Sequence, residues 1–166
     1  MAKPSTLRDL FIDTLRDVYN AEGQLVKALP KMAKTANNPD LAEAFESHLE
    51  ETKGHVERLD RVFDAIGEKA RGKKCKGMEG LIDEGKEWID EDAEADVLDA
   101  GLIAAAQKVE HYEIATYGCL CTWAKQLDLE EAVGLLGQNL DEEKAADEKL
   151  TGLAESHINA QANSGR

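Results

Sequence analysis

No proline follows Pro39 in this chain of 166 residues, and apolar residues recur three and four positions apart through most of its length. Together these features confine the chain to long amphipathic helices. The first helix is expected from about Ser5 or Thr6 to about Thr35, along the stripe Leu7, Phe11, Leu15, Val18, Glu22, Leu25 and Leu29. Pro30 should kink or end it. Asn37-Asn38-Pro39-Asp40 reads as a turn, with Asn38 or Asp40 available as the next cap. The second helix runs to about Ile66 and stops at Gly67; its stripe is Leu41, Phe45, His48, Glu51 or Thr52, His55, Leu59, Val62 and Ile66. The third spans about Ala95 to Leu127 on Leu102, Ala106, Glu110, Glu113, Tyr117, Leu120 and Ala124. The fourth starts near Asp128, taken as its N-cap, and reaches about Ala160 on Leu129, Val133, Leu136, Leu140, Glu143, Asp147, Leu150 and Ala154. A tail at 161–166 is expected to fray.

The connections set the topology. Helices one and two are joined by a few residues, as are three and four, so each pair forms an antiparallel hairpin. A long stretch, about 67–95, separates the pairs and contains a short amphipathic segment with Leu81, Ile82, Trp88 and Ile89. The expected fold is therefore all-α: one four-helix-bundle domain over 1–166, made of two hairpins and a long crossover that carries a short extra helix.

Each stripe carries acids where Leu or Ile would be expected. Glu22 interrupts the first. In the second, Glu51 lies three residues after His48 and four before His55, which puts all three within reach of one face. Glu110 and Glu113 are one turn apart, and so are Glu143 and Asp147. Depth can be counted: Glu22 and Glu51 each lie 14 residues from the first turn, and Glu110 and Glu143 lie 18 and 15 from the second. One such Glu is ordinarily a boundary residue reaching solvent. Four at matched depth are hard to explain that way. Buried unpaired ions cost several kcal/mol each, against a whole-chain stability of about 5–15 kcal/mol. The stripes near these acids hold no Arg or Lys, and Lys108 and Lys144 point elsewhere. Protonation, water or cations remain, and carboxylates with imidazoles suit iron or manganese. The candidate ligands are Glu22, Glu51, Glu110, Glu113, Glu143, Asp147, His48 and His55, around two divalent ions.

Composition narrows the function classes. A net charge of −14 opposes binding to nucleic acid or to anionic membranes, and it suits attraction of cations as well as plain solubility. The three cysteines, Cys75, Cys119 and Cys121, form no CxxC pair and fit reduced thiols. With no apolar leader and no run of about twenty apolar residues, a cytoplasmic protein is expected.

His48-Leu-Glu-Glu-Thr52, Ala104-Ala-Ala-Gln-Lys-Val-Glu-His-Tyr-Glu-Ile-Ala115 and Leu140-Asp-Glu-Glu-Lys144 resemble the YciF/YciE-like bacterial stress proteins of the ferritin-like superfamily. Thr6-Leu-Arg-Asp-Leu-Phe11 and Tyr19-Asn-Ala-Glu22 extend the resemblance over nearly the whole chain. It implies a dinuclear site built from one Glu, a Glu-x-x-His, a second Glu and a second Glu-x-x-His. Glu22, Glu51, Glu110 and Glu143 match the four acids, and Glu113 matches the extra Glu of the rubrerythrin-like variant. The His positions depart from the pattern, with Gly54 and Ala146 three residues after Glu51 and Glu143. His48, His55 and Asp147 are the nearby substitutes.

Three functions compete: a di-iron or di-manganese protein reacting with peroxide or oxygen, a metal-binding or structural stress protein without turnover, and an interaction module. A homodimer is expected, with Ile12, Leu49, Val56 and Leu135 as candidate contacts. Tyr19, Tyr112 and Tyr117 are candidate donors around the metals. The basic run Lys69, Arg71, Lys73, Lys74 and Lys76 is either a solvated loop or a dock for an anionic partner.

Overall fold

The protein is described by a computed structural model covering residues 4–91 and 93–164. Helix α1 spans Leu7–Thr35 and α2 Pro39–Ala65; α3, Lys76–Asp90, lies in the crossover; α4 spans Ala95–Gln126 and α5 Glu130–Leu153. A five-residue π-helical turn, Ala154–Ile158, leads into α6, Asn159–Asn163, so the expected fraying tail is helical through Asn163. No strand occurs among the described residues, as the stripes foretold.

Local chemistry explains the helix starts. Thr6 and Asp9 close a capping box on α1. The Asn38 side chain accepts from Asp40 N and Leu41 N, with Pro39 in the first turn of α2. Pro30 does not end α1, which runs five residues beyond it. Asp128 is not a cap either. It sits at φ 56°, a left-handed turn conformation that Asp tolerates, and α5 starts two residues later without a side-chain cap.

Helix α1 packs on α2 and α4 on α5, and the hairpins meet through α2 against α5 and α1 against α4. The crossover climbs beside α1. Lys73 N donates to Arg16 O at 2.9 Å, Cys75 N to Asn20 Oδ1 at 2.8 Å, and Gln24 Nε2 to Cys75 O at 3.1 Å. Gly72 permits this approach, since a Cβ there would lie 2.9 Å from Asn20 Cβ. At the far end the buried Asp99 carboxylate accepts from Asn37 N and Asn38 N, both at 2.8 Å, and so ties the start of α4 to the α1–α2 turn. That acid closes a loop and was not singled out from the sequence.

The core divides along the bundle axis. One apolar cluster holds Leu25, Leu29, Leu41, Phe45, Leu102 and Leu150; the other holds Phe11, Leu15, Leu59, Phe63, Leu120 and Leu136. On every bundle helix the polar stripe residues fall between these clusters. Glu22 follows Val18 of one cluster and precedes Leu25 of the other, and His48 and His55 separate Phe45 from Leu59. Leu135 lies 4% exposed inside the second cluster and is no part of an outer contact face. No described helix is long and apolar enough to cross a membrane.

Candidate metal centre

Between the apolar clusters, six side chains converge in two groups that share Glu143. His48, Glu110, Glu113 and Glu143 form one; Glu22, His55 and Glu143 form the other; within each, the potential ligand atoms all lie within 4.8 Å of one another. His48 Nε2 lies 3.3 Å from Glu110 Oε1 and 3.6 Å from Glu143 Oε2. His55 Nδ1 lies 2.9 Å from Glu143 Oε1 and 3.4 Å from Glu22 Oε1. All six residues are buried, and Glu22, His55, Glu113 and Glu143 are 0% exposed.

The hydrogen bonding of these groups is incomplete in a specific way. Glu22 Oε2, Glu110 Oε2, both oxygens of Glu113, both oxygens of Glu143, His48 Nε2 and His55 Nδ1 have no hydrogen-bond partner. Native interiors leave few such atoms unpaired, because each unsatisfied buried group costs about 1–3 kcal/mol. Here they point at one another across a common space. An oxygen-rich set with two imidazole nitrogens is the donor chemistry of a hard or borderline divalent cation. The residues fit such an ion pair.

Each imidazole is also oriented from behind. Glu51 Oε2 lies 3.2 Å from His48 Nδ1, leaving Nε2 to face Glu110 and Glu143. Glu142 Oε2 lies 2.9 Å from His55 Nε2, leaving Nδ1 to face Glu22 and Glu143. Carboxylates in this position fix the ring orientation and raise the basicity of the inward nitrogen. Arg58 in turn binds Glu142 and Asn139. The Tyr117 hydroxyl donates to Glu22, and Asn139 Nδ2 donates to the Tyr117 oxygen at 3.0 Å.

The electrostatics follow from this crowding. Burial and the charges of Glu143, Glu22 and Glu110 hold Glu113 well above the usual carboxylate range. Glu110 is held there by burial and the Glu143 and Glu22 charges, against the opposing pull of His48. Burial raises Glu143 too, with His55 opposing. Burial works against charge on His55, but Glu143 and Glu22 outweigh it and push the imidazole up to about 10. For His48 the Glu110 charge and the Glu51 contact likewise overcome burial and raise it. Without a cation the cluster therefore retains protons, and binding an ion must release them.

Two of the candidate ligands, Glu51 and Asp147, lie apart from the inner cluster. Glu51 does not join the inner carboxylates; its side chain is 43% exposed and holds His48 from outside. Thr52 takes the inward place on α2, its hydroxyl donating to His48 O at 2.8 Å. Asp147 turns to the α4 seam, where Gln107 Nε2 donates to it at 3.1 Å and His111 Nε2 lies 3.3 Å away. Of the three tyrosines only Tyr117 reaches the cluster; Tyr19 donates to Asp60 and Tyr112 to Asp17. Asn139, Glu142 and Arg58 were missed, although their spacing relative to Glu143 and His55 places them on adjoining helix faces. In the basic run, Lys73 pairs with Asp13 at 2.6 Å and Lys74 with Glu79 at 2.7 Å, so both are committed to the chain's own acids.

A two-hairpin bundle with a long crossover and a carboxylate–imidazole layer at mid-depth defines a ferritin-like protein. The chain belongs to the family described as Domain of unknown function (DUF892), which matches residues 6–163. It is 51% identical over 158 residues to Protein YciF of Escherichia coli (strain K12), covering 95% of each chain. The crystal structure of that E. coli stress protein superposes with a TM-score of 0.91 at 50% identity, over 94% of this chain and 99% of the other. YcfI from Rhodopseudomonas palustris gives 0.88 at 48% identity, over 91% and 98%. A Xanthomonas campestris protein at 21% identity gives 0.73 over 95% and 97% and shares the fold.

Proposed function

We propose that this chain is a dinuclear iron or manganese protein of the stress response that reacts with a small oxidant, peroxide or dioxygen. The observation that carries the reading is the set of unpartnered oxygens on Glu22, Glu110, Glu113 and Glu143, facing the inward nitrogens of His48 and His55. The stress assignment rests on the similarity to E. coli YciF, which is described as a stress protein.

In this reading His48, Glu110, Glu113 and Glu143 would hold one ion, and Glu22, His55 and Glu143 would hold the other. A bound pair supplies reversible one-electron chemistry and Lewis acidity. The protein's own part is positional. Glu51 and Glu142 set the tautomers of the two imidazoles, Tyr117 and Asn139 orient Glu22, and the apolar clusters above and below exclude bulk water. Protons displaced from Glu110, Glu113 and the imidazoles leave as the cations arrive.

Elemental analysis of protein purified without added metal tests the metal assignment, with about two ions per chain expected. A peroxide-consumption assay then compares the parent with Glu143→Ala. A rate at least about a hundredfold lower in the variant supports turnover at this site. Equal rates remove turnover and leave a metal-binding protein of the stress response without an enzymatic role.

A further inference from the structure

The two halves of the carboxylate layer differ in their access to the outside. A cavity of about 140 Å³ lies between α2 and α5 and ends on His48 and Glu110. Its remaining wall includes Glu51, Glu142, Ala146 and Lys149, and none of Glu22, His55 or Glu143. His48 and Glu110 are 7% and 2% exposed, so the cavity reaches two buried side chains whose Nε2 and Oε2 atoms have no partner.

The other half is closed on every side. Glu22, Thr52, His55, Tyr117 and Asn139 are all 0% exposed. Glu142 stands between the cavity and His55, with its Oε2 2.9 Å from His55 Nε2, and Arg58 pins Glu142 in place. Tyr117 donates to Glu22, and Asn139 holds Tyr117 from behind.

Resting on the dinuclear reading above, we infer that an outside reactant meets only the ion on the His48 side, entering between α2 and α5, and that the ion on the His55 side is structural and sealed. Ala146 keeps the passage open. Three residues past Glu143, it shares that residue's face of α5 and contributes only a methyl group to the wall. A space of this size admits molecules of up to about six non-hydrogen atoms. Hydrogen peroxide and dioxygen, with two non-hydrogen atoms each, are well within that size.

The test uses the full chain loaded with ferrous iron under anaerobic conditions, with nitric oxide as a neutral diatomic probe. Iron content is measured before the probe is added. Two irons but one nitric oxide bound per chain is the expected result. Ala146→Leu should retain both irons at equilibrium while nitric oxide binds at least tenfold more slowly. Ala145→Phe, at an exposed position on the same rim, provides a second obstruction should Ala146→Leu fail to fold. Two nitric oxide molecules per chain, or an unchanged rate in the obstructed variants, overturns the inference while leaving the dinuclear site standing. A parent chain that takes up no iron refutes the dinuclear reading itself, and that result is visible before any probe is used.

Discussion

His48 and His55 lie two turns apart on one face of α2, each with a carboxylate behind it and acids in front, yet they occupy different environments. His55 is fully buried and meets three carboxylates, Glu22, Glu142 and Glu143. His48 meets Glu51, Glu110 and Glu143 and borders a cavity that opens to solvent. The same residue type on the same helix therefore holds a sealed corner in one case and an accessible one in the other. What separates them is the neighbours on α5. Asn139 and Glu142, with Arg58, close over His55, whereas Ala145 and Ala146 leave room beside His48.

Removing what the two halves share should abolish the difference between them. On the dinuclear reading, Glu143→Leu is expected to reduce metal content from about two ions per chain to less than about 0.2, measured by elemental analysis, because Glu143 belongs to both ligand groups. Retention of one ion would show that one half stands without Glu143.

Removing the imidazoles one at a time should sharpen the contrast. His55→Ala leaves three carboxylates facing one another, two of them fully buried, and should lower the metal-free protein's unfolding free energy by about 3–5 kcal/mol. His48→Ala, beside a cavity that water can enter, should cost about 1–2 kcal/mol. Urea unfolding of both variants checks the order, and a reversed order breaks the comparison.

A pH dependence follows from the same protons. His55 is raised in the folded state to about 10, so its stabilisation is fully present below its unfolded value and is lost as pH rises from about 6.5 through 10. Glu110 and Glu113, raised well above the carboxylate range, act in the same direction, because the native state holds protons that the unfolded chain has released. The metal-free protein should therefore melt at a progressively lower temperature between pH 6.5 and 10. With metal in place of the protons, that slope should flatten. A metal-free melting temperature that rises over this window would contradict the assignment of protons to His55 and its acids.

The smallest effects belong to the acids outside the layer. Asp147→Asn should leave metal content unchanged and shift stability by less than about 0.5 kcal/mol, since its contacts are to the seam residues Gln107 and His111. On the dinuclear reading, Glu51→Gln should likewise retain both ions at saturating metal, with a loss of affinity confined to the His48 half and of about 10–100-fold. Competition with a chelator measures both.

Much of this arrangement was legible from the spacing of residues. Glu22, Glu110, Glu113 and Glu143 interrupt apolar stripes at matched depth, and the structure brings all four together. Glu51 and Thr52 could not be separated in that way. At about 100° per residue, each lies about 50° to one side of the line through His48 and His55. The rotation of α2 against α5 turns Thr52 inward and Glu51 toward the cavity mouth. Asp147 misleads for a related reason, because its position one turn past Glu143 also faces the α4 seam, and Gln107 is there to receive it. Arg58 is invisible to stripe reading because it sits off the stripe and reaches back over it with a long side chain.

What the chain alone determined is the set of long helices, their pairing as hairpins and the depth of the acids, because periodicity and loop length are properties of local sequence. Tertiary structure decided which nitrogen of each imidazole faces inward, which acids are ligand candidates and which merely orient, and on which side the layer opens. Those outcomes depend on helix rotation and on the size of side chains from other helices, and no spacing along a single helix encodes either.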